Sequence, residues 1–433
     1  MEKIVQKLKL MQKYIITFIR WVTIAVATGV CGGIIGSFFH KSVEYATEVR
    51  LENEWIIFIL PIGGLIIIYV YKLFKLDSNI GTNLIIDSIR TDGKVPIAMA
   101  PLIFVSTVIT HLFGGSAGRE GAALQLGGSI GSQIGNILNL DEKDMHAITL
   151  CGMSGVFAAL FGTPLTATFF SMEVISVGII YYSSFIPCIV SSIVAYKISL
   201  LFGLEPVHFN LKIIPAITTS SMIKVTILGA LCAIVSIVFC EALHKTGKFV
   251  KKYIKNEYSR IVLGGLAIVI LTVIVRNTDY NGAGMNIISN AMNGEARYEA
   301  FFLKIIFTAI TISVGYKGGE IVPTFFIGST FGCVAAKFLG IDPGFGAAIG
   351  LIALFCGVVN TLISSIILSI ELFGAEGIIL FSIACGVSYM LSGYYSLYSS
   401  QKIVYSKLKA EYINTSAKWY CLVLNKEILV KKH

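Results

Sequence analysis

Charged residues are scarce in this 433-residue chain: they make up 14% of the sequence, whereas 55% of the residues are hydrophobic and the mean hydropathy is +0.80. Soluble globular proteins carry about 25% charged residues. So small a charged share leaves too few polar groups to cover a water-facing surface. The composition therefore excludes an ordinary soluble domain and predicts a protein that lies in a lipid bilayer.

Motifs for metal binding, disulfide formation and hydrolysis are also missing. The nine cysteines show no CxxC spacing and lie mostly in apolar stretches, and the six histidines form no HExxH motif. The cysteines are expected to be small packing residues and the histidines form no zinc-protease motif, so the sequence predicts neither a metal site nor a cofactor. An intramembrane enzyme or a lipid-binding scaffold remains an alternative from another functional class, although no nucleophile–base pair supports it.

Apolar stretches long enough to cross a bilayer are present in both halves. A spanning helix needs about 20 apolar residues, and several segments meet or approach that length: 14–39, 55–74, 97–113, 222–242, 261–275 and 378–391. Shorter, glycine-broken stretches at 121–138, 164–174 and 321–338 predict tilted, half-length or re-entrant helices. A bilayer tolerates these only beside protein or a water-filled cavity. The pattern indicates a transporter or channel.

The net charge of +9 is concentrated in three basic segments, 3–20, 245–260 and 402–432. Because positive charge collects on the cytoplasmic side of membrane helices, all three segments and both termini are expected in the cytoplasm. Each lies beside a membrane segment and forms no basic domain of its own, which argues against a nucleic-acid partner. No small-residue cleavage site follows the first apolar stretch, which therefore predicts an uncleaved helix.

The chain contains an internal repeat with an offset of about two hundred residues. Gly118-Arg119-Glu120 aligns with Gly318-Gly319-Glu320, and a short segment that ends at Glu173 aligns with one that ends at Glu371. The charge distribution requires the two halves to be inverted, an arrangement in which transporters place substrate where broken helices meet. We expect a basic N-terminal helix (1–20), two membrane repeats (21–204 and 222–410), a linker (205–221) and a cytoplasmic tail (411–433).

The glycine-rich run 114–121, Gly-Gly-Ser-Ala-Gly-Arg-Glu-Gly, is the strongest local signal of a site. Glycines expose backbone N–H groups, and a helix that begins here directs its positive dipole end at a bound anion. Glu120 would compete with the anion for these donors, and its protonation would release them. One side chain would thereby link proton and anion movement. A structural ion pair between Arg119 and Glu120 is the alternative.

These residues resemble the motifs of the CLC anion-transport family. Gly118-Arg119-Glu120-Gly121 is similar to the gating-glutamate signature GREGP, with Ala122 in place of the proline. The turn 318–323, Gly-Gly-Glu-Ile-Val-Pro, is similar to the second anion-binding turn, generally GxFxP in chloride-handling members. A glutamate in this turn, here Glu320, resembles the fluoride-specific branch, and Ile321 and Val322 would line the anion path. That branch often has a hydroxyl residue where Val322 stands.

A third family motif is present in the sequence, and a fourth is absent. The stretch 396–399, Ser-Leu-Tyr-Ser, resembles the one that supplies a tyrosine hydroxyl to the central anion, which makes Tyr398 the candidate. Tyr394, Tyr395 and Tyr405 remain alternatives. The first-half GSGIP turn and its serine are absent, as in the fluoride branch. Asn79 and the Ile80–Gly81 backbone are the candidates in its place, and a plain helix N-cap at Ser78 or Asn79 is the other reading.

The internal part of the expected proton pathway also differs from that of chloride exchangers. The stretch 164–174 is similar to one that ends in two glutamates in those exchangers, but here Val174 follows Glu173. The resemblance implies that Glu173 is structural and that Glu120 is the main proton carrier, assisted by Glu320.

The resemblance, which covers residues from about 21 to 405, implies an all-α polytopic membrane protein of two inverted repeats with tilted and half-length helices. It implies a homodimer with one pore per subunit in the inner (plasma) membrane. The expected function is export of cytoplasmic fluoride in exchange for protons. A chloride/proton exchanger or a passive anion channel of the same family is the alternative.

Overall fold

The computed structural model describes residues 2–76, 81–91, 93 and 95–417. These contain sixteen α-helices, arranged as two sets of eight. The first set comprises α1 Glu2–Glu52, α2 Leu60–Leu73, α3 Thr82–Thr91, α4 Met99–Leu112, α5 Glu120–Ile137, α6 Glu142–Phe161, α7 Pro164–Glu173 and α8 Phe185–Leu201. The second comprises α9 Thr219–Tyr253, α10 Glu257–Val275, α11 Met285–Met292, α12 Ala300–Val314, α13 Ile321–Leu339, α14 Pro343–Val359, α15 Leu362–Phe373 and α16 Ile378–Leu391.

Within the described part of the chain, seven helical segments are long and apolar enough to cross a membrane, and shorter apolar helices accompany them. The prediction of a polytopic helical membrane protein is confirmed. Helix α1 runs without a break through residues 20 and 21, so the basic N-terminal segment and the first crossing form one helix. The predicted linker overlaps a stretch without helix or strand between α8 and α9.

The two halves break their helices at corresponding places. Helix α6 ends at Gly162, which has a positive φ of 70°, and α7 starts directly afterwards with Pro164 in its first turn. Helix α14 ends at Asn360, which has a φ of 59°, and α15 starts at Leu362. A left-handed residue satisfies the last carbonyls of one helix and turns the chain sharply. The result in each half is a long helix followed by a half-length one.

Close helix pairs also recur in both halves. A Cβ atom on Gly127 of α5 would lie 2.3 Å from the carbonyl oxygen of Gly152 of α6. A Cβ atom on Gly328 of α13 would lie 2.4 Å from the carbonyl oxygen of Gly350 of α14. Only glycine fits at such a distance, so small residues bring these backbones together, as expected of membrane helices.

The sequence did not predict the small sheet near the C-terminus. Strand β1 Ser176–Val177 pairs in parallel with β2 Lys402–Tyr405, which pairs antiparallel with β3 Tyr412–Ser416. The predicted tail, 411–433, thus begins inside a sheet that joins both halves. Beside this sheet the ammonium group of Lys407 donates to the carbonyl of Tyr389 at 3.0 Å and to the hydroxyl of Ser392 at 3.2 Å.

Candidate functional site

The turns that precede α5 and α13 meet at the centre of the molecule. Gly118 and Gly319 exchange two backbone hydrogen bonds of 2.7 Å each, N–H of one to carbonyl of the other. This reciprocal pair is what an inverted repeat produces on its internal pseudo-twofold axis. Glu120 is the first residue of α5 and Glu320 is the N-cap of α13, so the axis brings the two acidic turns together.

Glycine is required where the two turns touch. A Cβ atom on Gly319 would lie 2.3 Å from the amide nitrogen of Gly121, and one on Gly121 would lie 2.8 Å from the Cα atom of Gly319. Both distances are shorter than any atomic contact allows. The glycines therefore allow two helix N-termini, each with free N–H groups and a positive dipole end, to lie side by side.

Glu120 occupies the donors at its own helix terminus. Its side chain is 2% exposed, and its Oε2 atom accepts a hydrogen bond of 3.0 Å from the backbone N–H of Arg119. The Nε atom of Arg119 lies 3.5 Å from the other carboxylate oxygen. The predicted ion pair is thus present, but the carboxylate also holds a backbone donor that an anion could use. The geometry combines the two interpretations that the sequence left open.

Glu320 lies on the other side of the paired turns. Its Oε2 atom is buried and has no hydrogen-bond partner among the described residues. This atom would lie 3.1 Å from a Cβ atom on Gly121, so the carboxylate reaches the first turn of α5. The first residues of α13, Ile321 and Val322, are buried, and no side chain caps this helix terminus. The acid and the free N–H groups of α13 therefore border the same small space.

Tyr398 is the tyrosine that reaches this space. It is 2% exposed, and its hydroxyl has no hydrogen-bond partner among the described residues. It lies within electrostatic range of both Glu120 and Glu320. The hydroxyl of Tyr394 instead bonds to Ser406 at 2.9 Å, and that of Tyr395 lies 3.5 Å from Glu241. Tyr405 is 45% exposed. The geometry supports Tyr398 over its three alternatives.

The first-half turn is described only in part. Asn79 and Ile80 lie outside the described residues, whereas Gly81 directly precedes α3. The next residue, Thr82, donates its hydroxyl to the carbonyl of Gly121 at 3.3 Å. The N-terminus of α3 therefore lies against the first turn of α5, and the anion-binding role of the first-half turn stays a prediction.

Sequence reasoning missed two residues at this contact. The side-chain amide of Gln125 donates to the hydroxyl of Thr82 at 3.0 Å, and its own amide oxygen is buried without a partner among the described residues. The available signal was a polar residue in a Gly/Ala/Leu-rich stretch, five residues after Glu120.

A cavity of about 380 Å³ connects Glu120 to the surface, and we call it the Glu120 cavity. Its walls include Glu44, Glu48 and Arg50 near the end of α1, His111 at the end of α4, Arg119, Val322, and residues between Thr278 and Asn286. Glu44 and Glu48 are exposed, whereas Glu120 is buried at the inner end. A solute or proton on this side of the protein can therefore reach the carboxylate of Glu120.

Glu173 and Glu371 each cap the half-helix to which the other belongs. The carboxylate of Glu173 accepts from the backbone N–H groups of Ile363 and Ser364, at 3.1 and 3.0 Å, at the start of α15. The carboxylate of Glu371 accepts from those of Leu165 and Thr166, at 2.9 and 2.8 Å, at the start of α7. Both acids therefore have clear structural partners. Among the described residues no group of three or more His, Cys, Asp or Glu side chains could hold a metal ion.

Comparison with known proteins identifies relatives over most of the chain. Residues 63–393 match the family model described as voltage gated chloride channel. A "chloride/fluoride channel protein" of Pseudomonas syringae pv. tomato is 33% identical over 395 residues, which cover 90% of this chain and 87% of that protein. The "H(+)/Cl(-) exchange transporter ClcA" of Vibrio cholerae is 25% identical, with 81% of each chain covered.

Solved structures have the same fold. The crystal structure of a CLC-type fluoride/proton antiporter superimposes with a TM-score of 0.85 at 33% identity, covering 88% of this chain and 97% of that chain. A slow cyanobacterial Cl−/H+ antiporter superimposes with a TM-score of 0.74 at 19% identity, covering 86% and 94% of the two chains.

Proposed function

The chain belongs to the voltage gated chloride channel (CLC) family of transporters and channels, which are not enzymes, and on that premise we propose that it is a fluoride/proton antiporter that exports fluoride from the cytoplasm. The observation that carries this proposal is the juxtaposition of Glu120, Glu320 and the hydroxyl of Tyr398 at two paired helix termini. The relative at 33% identity is named for both chloride and fluoride, and the solved structure at 33% identity is named for fluoride, which supports fluoride as the anion.

In the proposed mechanism Glu120 alternates between two positions. As a carboxylate it holds the backbone N–H of Arg119 and blocks the path. When it takes a proton from outside, it loses the charge that made this bond strong and moves away. The freed N–H groups then donate to a fluoride ion that arrives from the cytoplasmic side. Glu120 releases its proton to the cytoplasm and returns as a carboxylate, which expels the fluoride to the outside, so a proton enters as fluoride leaves.

Selectivity for fluoride requires compact, strong hydrogen-bond donors, because fluoride holds its water tightly. The Tyr398 hydroxyl is such a donor and has no protein acceptor among the described residues. Glu320 would be a second donor when protonated, whereas its ionised form would repel the anion. We therefore propose that Glu320 carries a proton while fluoride is bound. Glu320→Gln should change the fluoride rate, the selectivity or the coupling, and unchanged values of all three would contradict this role.

The charge distribution supports an orientation with both termini in the cytoplasm. Helices α9 and α10 are joined at the basic segment 245–260, which the positive-inside rule places in the cytoplasm. The far end of α10 at Val275 then lies outside, and the Glu120 cavity, lined by the residues that follow, opens to the exterior. We propose a homodimer, one pore per subunit, in the plasma membrane.

Efflux from proteoliposomes tests the function. Vesicles loaded with fluoride or chloride are diluted into a buffer that contains neither anion, and the internal pH is recorded together with the anion flux. We expect fluoride efflux accompanied by proton entry, and loss of coupled proton entry in Glu120→Gln. Glu376→Gln, which changes an exposed glutamate in the turn before α16, is the matched control and should behave as the wild type.

The other outcomes select the alternatives. Chloride efflux as fast as fluoride efflux, with opposing proton movement, would identify a chloride/proton exchanger. Fluoride efflux without proton movement in the wild type would identify a passive anion channel. Either result would overturn the antiport proposal and leave the family assignment intact.

A further inference from the structure

The Glu120 cavity contains a histidine whose chemistry the proposed mechanism has not used. His111 lies in the last turn of α4, is 1% exposed and lines the cavity together with Glu120. Its Nδ1 atom lies 2.9 Å from the carbonyl oxygen of Thr107. A carbonyl can only accept a hydrogen bond, so Nδ1 carries the proton in the neutral ring and Nε2 is left as an acceptor.

That acceptor is left without a partner in the described part of the chain. The Nε2 atom of His111 is buried and makes no hydrogen bond to the described residues. An unsatisfied buried polar atom costs about 1–3 kcal/mol, so such atoms are usually satisfied by ordered water. The cavity beside it, about 380 Å³ and lined by charged side chains, is large and polar enough to hold water.

Charged groups from several elements face the imidazole. Arg50 of α1 donates its Nε–H to the backbone carbonyl of His111 at 3.1 Å. Arg119, before α5, and Lys304 of α12 also lie within electrostatic range. Burial of the ring is the main reason that a positive charge on the imidazole is disfavoured, and the three basic side chains act in the same direction, so the neutral form, in which Nε2 accepts, is favoured. The acidic groups on the cavity wall are Glu120 itself, Glu44, Glu48 and Asp279.

We propose that His111 is a positioning residue for proton delivery from outside to Glu120. Its Nε2 atom accepts a hydrogen bond from a water molecule in the Glu120 cavity and orients that water toward the carboxylate. A proton from the external solution passes through the oriented water to a carboxylate oxygen of Glu120, and the imidazole remains neutral. The exposed Glu44 and Glu48 at the mouth attract the incoming protons. This inference rests on the proposed antiport.

The test compares His111→Phe with His111→Gln in the proteoliposome assay at external pH 7.5 and 5.5. Phenylalanine keeps a ring and removes the acceptor, whereas glutamine restores an acceptor through its amide oxygen. Positioned proton-transfer groups typically raise a reaction rate by about 10²–10⁴-fold. We therefore expect the coupled flux to be at least about tenfold slower in the phenylalanine variant at the higher pH. The glutamine variant should retain most of the wild-type rate.

Two readouts separate positioning from a structural role. External acidification should restore the His111→Phe flux toward the wild-type value, because more protons then reach Glu120 without an oriented water. The stabilisation of the purified protein by fluoride against heat should stay unchanged, because His111 is not expected to contact the anion. His111→Met, which also lacks a strong acceptor, replaces the phenylalanine variant if that protein does not fold.

The outcomes are distinct from those that test the antiport itself. If the wild type does not exchange fluoride for protons, the proposed function fails. If the wild type exchanges normally and the variant without the acceptor matches it at both pH values, the role of His111 is refuted. A loss of flux that acidification does not restore, or that His111→Gln shares in full, would also refute it.

Discussion

Glu173 and Glu371 cap each other's half-helices, and removal of either side chain should lower the stability of the fold without abolishing fluoride/proton coupling. Glu173 and Glu371 each accept two backbone N–H hydrogen bonds at the start of the partner half-helix. These four bonds join parts of the chain that are about two hundred residues apart in sequence. Substitution of either acid by alanine leaves two backbone donors of a half-helix without an acceptor.

The expected size of the effect follows from burial. A helix cap contributes about 0.5–2 kcal/mol, and a hydrogen bond to a charged group about 1.5–3 kcal/mol. Glu173 is 8% exposed, so we expect Glu173→Ala to cost about 3–5 kcal/mol. Glu371 is half-buried, and solvent can replace part of its hydrogen bonding, which reduces the expected cost to about 1–3 kcal/mol. Each glutamine variant keeps one acceptor oxygen and should lie between its alanine variant and the wild type.

The assay is the fraction of folded protein recovered on size-exclusion chromatography after heating in detergent. The midpoint temperature should fall most in Glu173→Ala and less in Glu371→Ala. Fluoride/proton exchange per folded molecule should survive in Glu173→Gln, since both carboxylate oxygens are already engaged by backbone donors. Normal thermal stability combined with lost proton coupling in Glu173→Gln would place this acid on the proton path and refute the capping argument.

Three other perturbations test separate parts of the structure. Tyr398→Phe removes a hydroxyl that has no partner among the residues the structure describes, so thermal stability should stay within about 0.5 kcal/mol while fluoride binding weakens about tenfold, measured by calorimetric titration. Gly350→Ala would place a Cβ atom 2.1 Å from the carbonyl oxygen of Gly328 and should strongly lower the yield of folded protein, whereas Gly386→Ala, with open space around it, should not. Burial lowers the pKa of Lys407 to about 7, so the unfolded chain binds the extra proton above that pH. The free energy of unfolding should therefore rise with pH between about 7 and 10, by up to about 1.4 kcal/mol per pH unit. Thermal midpoints measured across this range should lose the rise in Lys407→Met.

Much of the architecture could be predicted because its signals are local in sequence. Apolar length indicates membrane helices, glycine-rich turns indicate exposed N–H groups, and the distribution of lysine and arginine indicates inversion of the halves. The recurrence of Gly-x-Glu at 118–120 and 318–320 predicted that two acids would share one region, and the paired turns agree. The tyrosine could be chosen only by resemblance, because nothing local separates Tyr398 from its neighbours.

Other features of the site were beyond sequence reasoning. The acids at 173 and 371 were recognised as equivalent, but their exchange of caps depends on two half-helices that pack antiparallel across the internal axis. Thr82 and Gln125 form their contact only because α3 meets α5. The strands near the C-terminus are short, and each needs a partner that is remote along the chain.

By itself the sequence determined that the protein is a membrane protein built from two inverted halves, and which acids belong to its centre. These properties depend on the hydrophobicity, charge and backbone freedom of neighbouring residues. Only the tertiary structure decided which polar atoms of the described residues are left without partners, among them one oxygen of Glu320, the hydroxyl of Tyr398 and the Nε2 atom of His111. Whether a buried polar atom is satisfied depends on every group around it, and folding brings those groups together from distant parts of the chain.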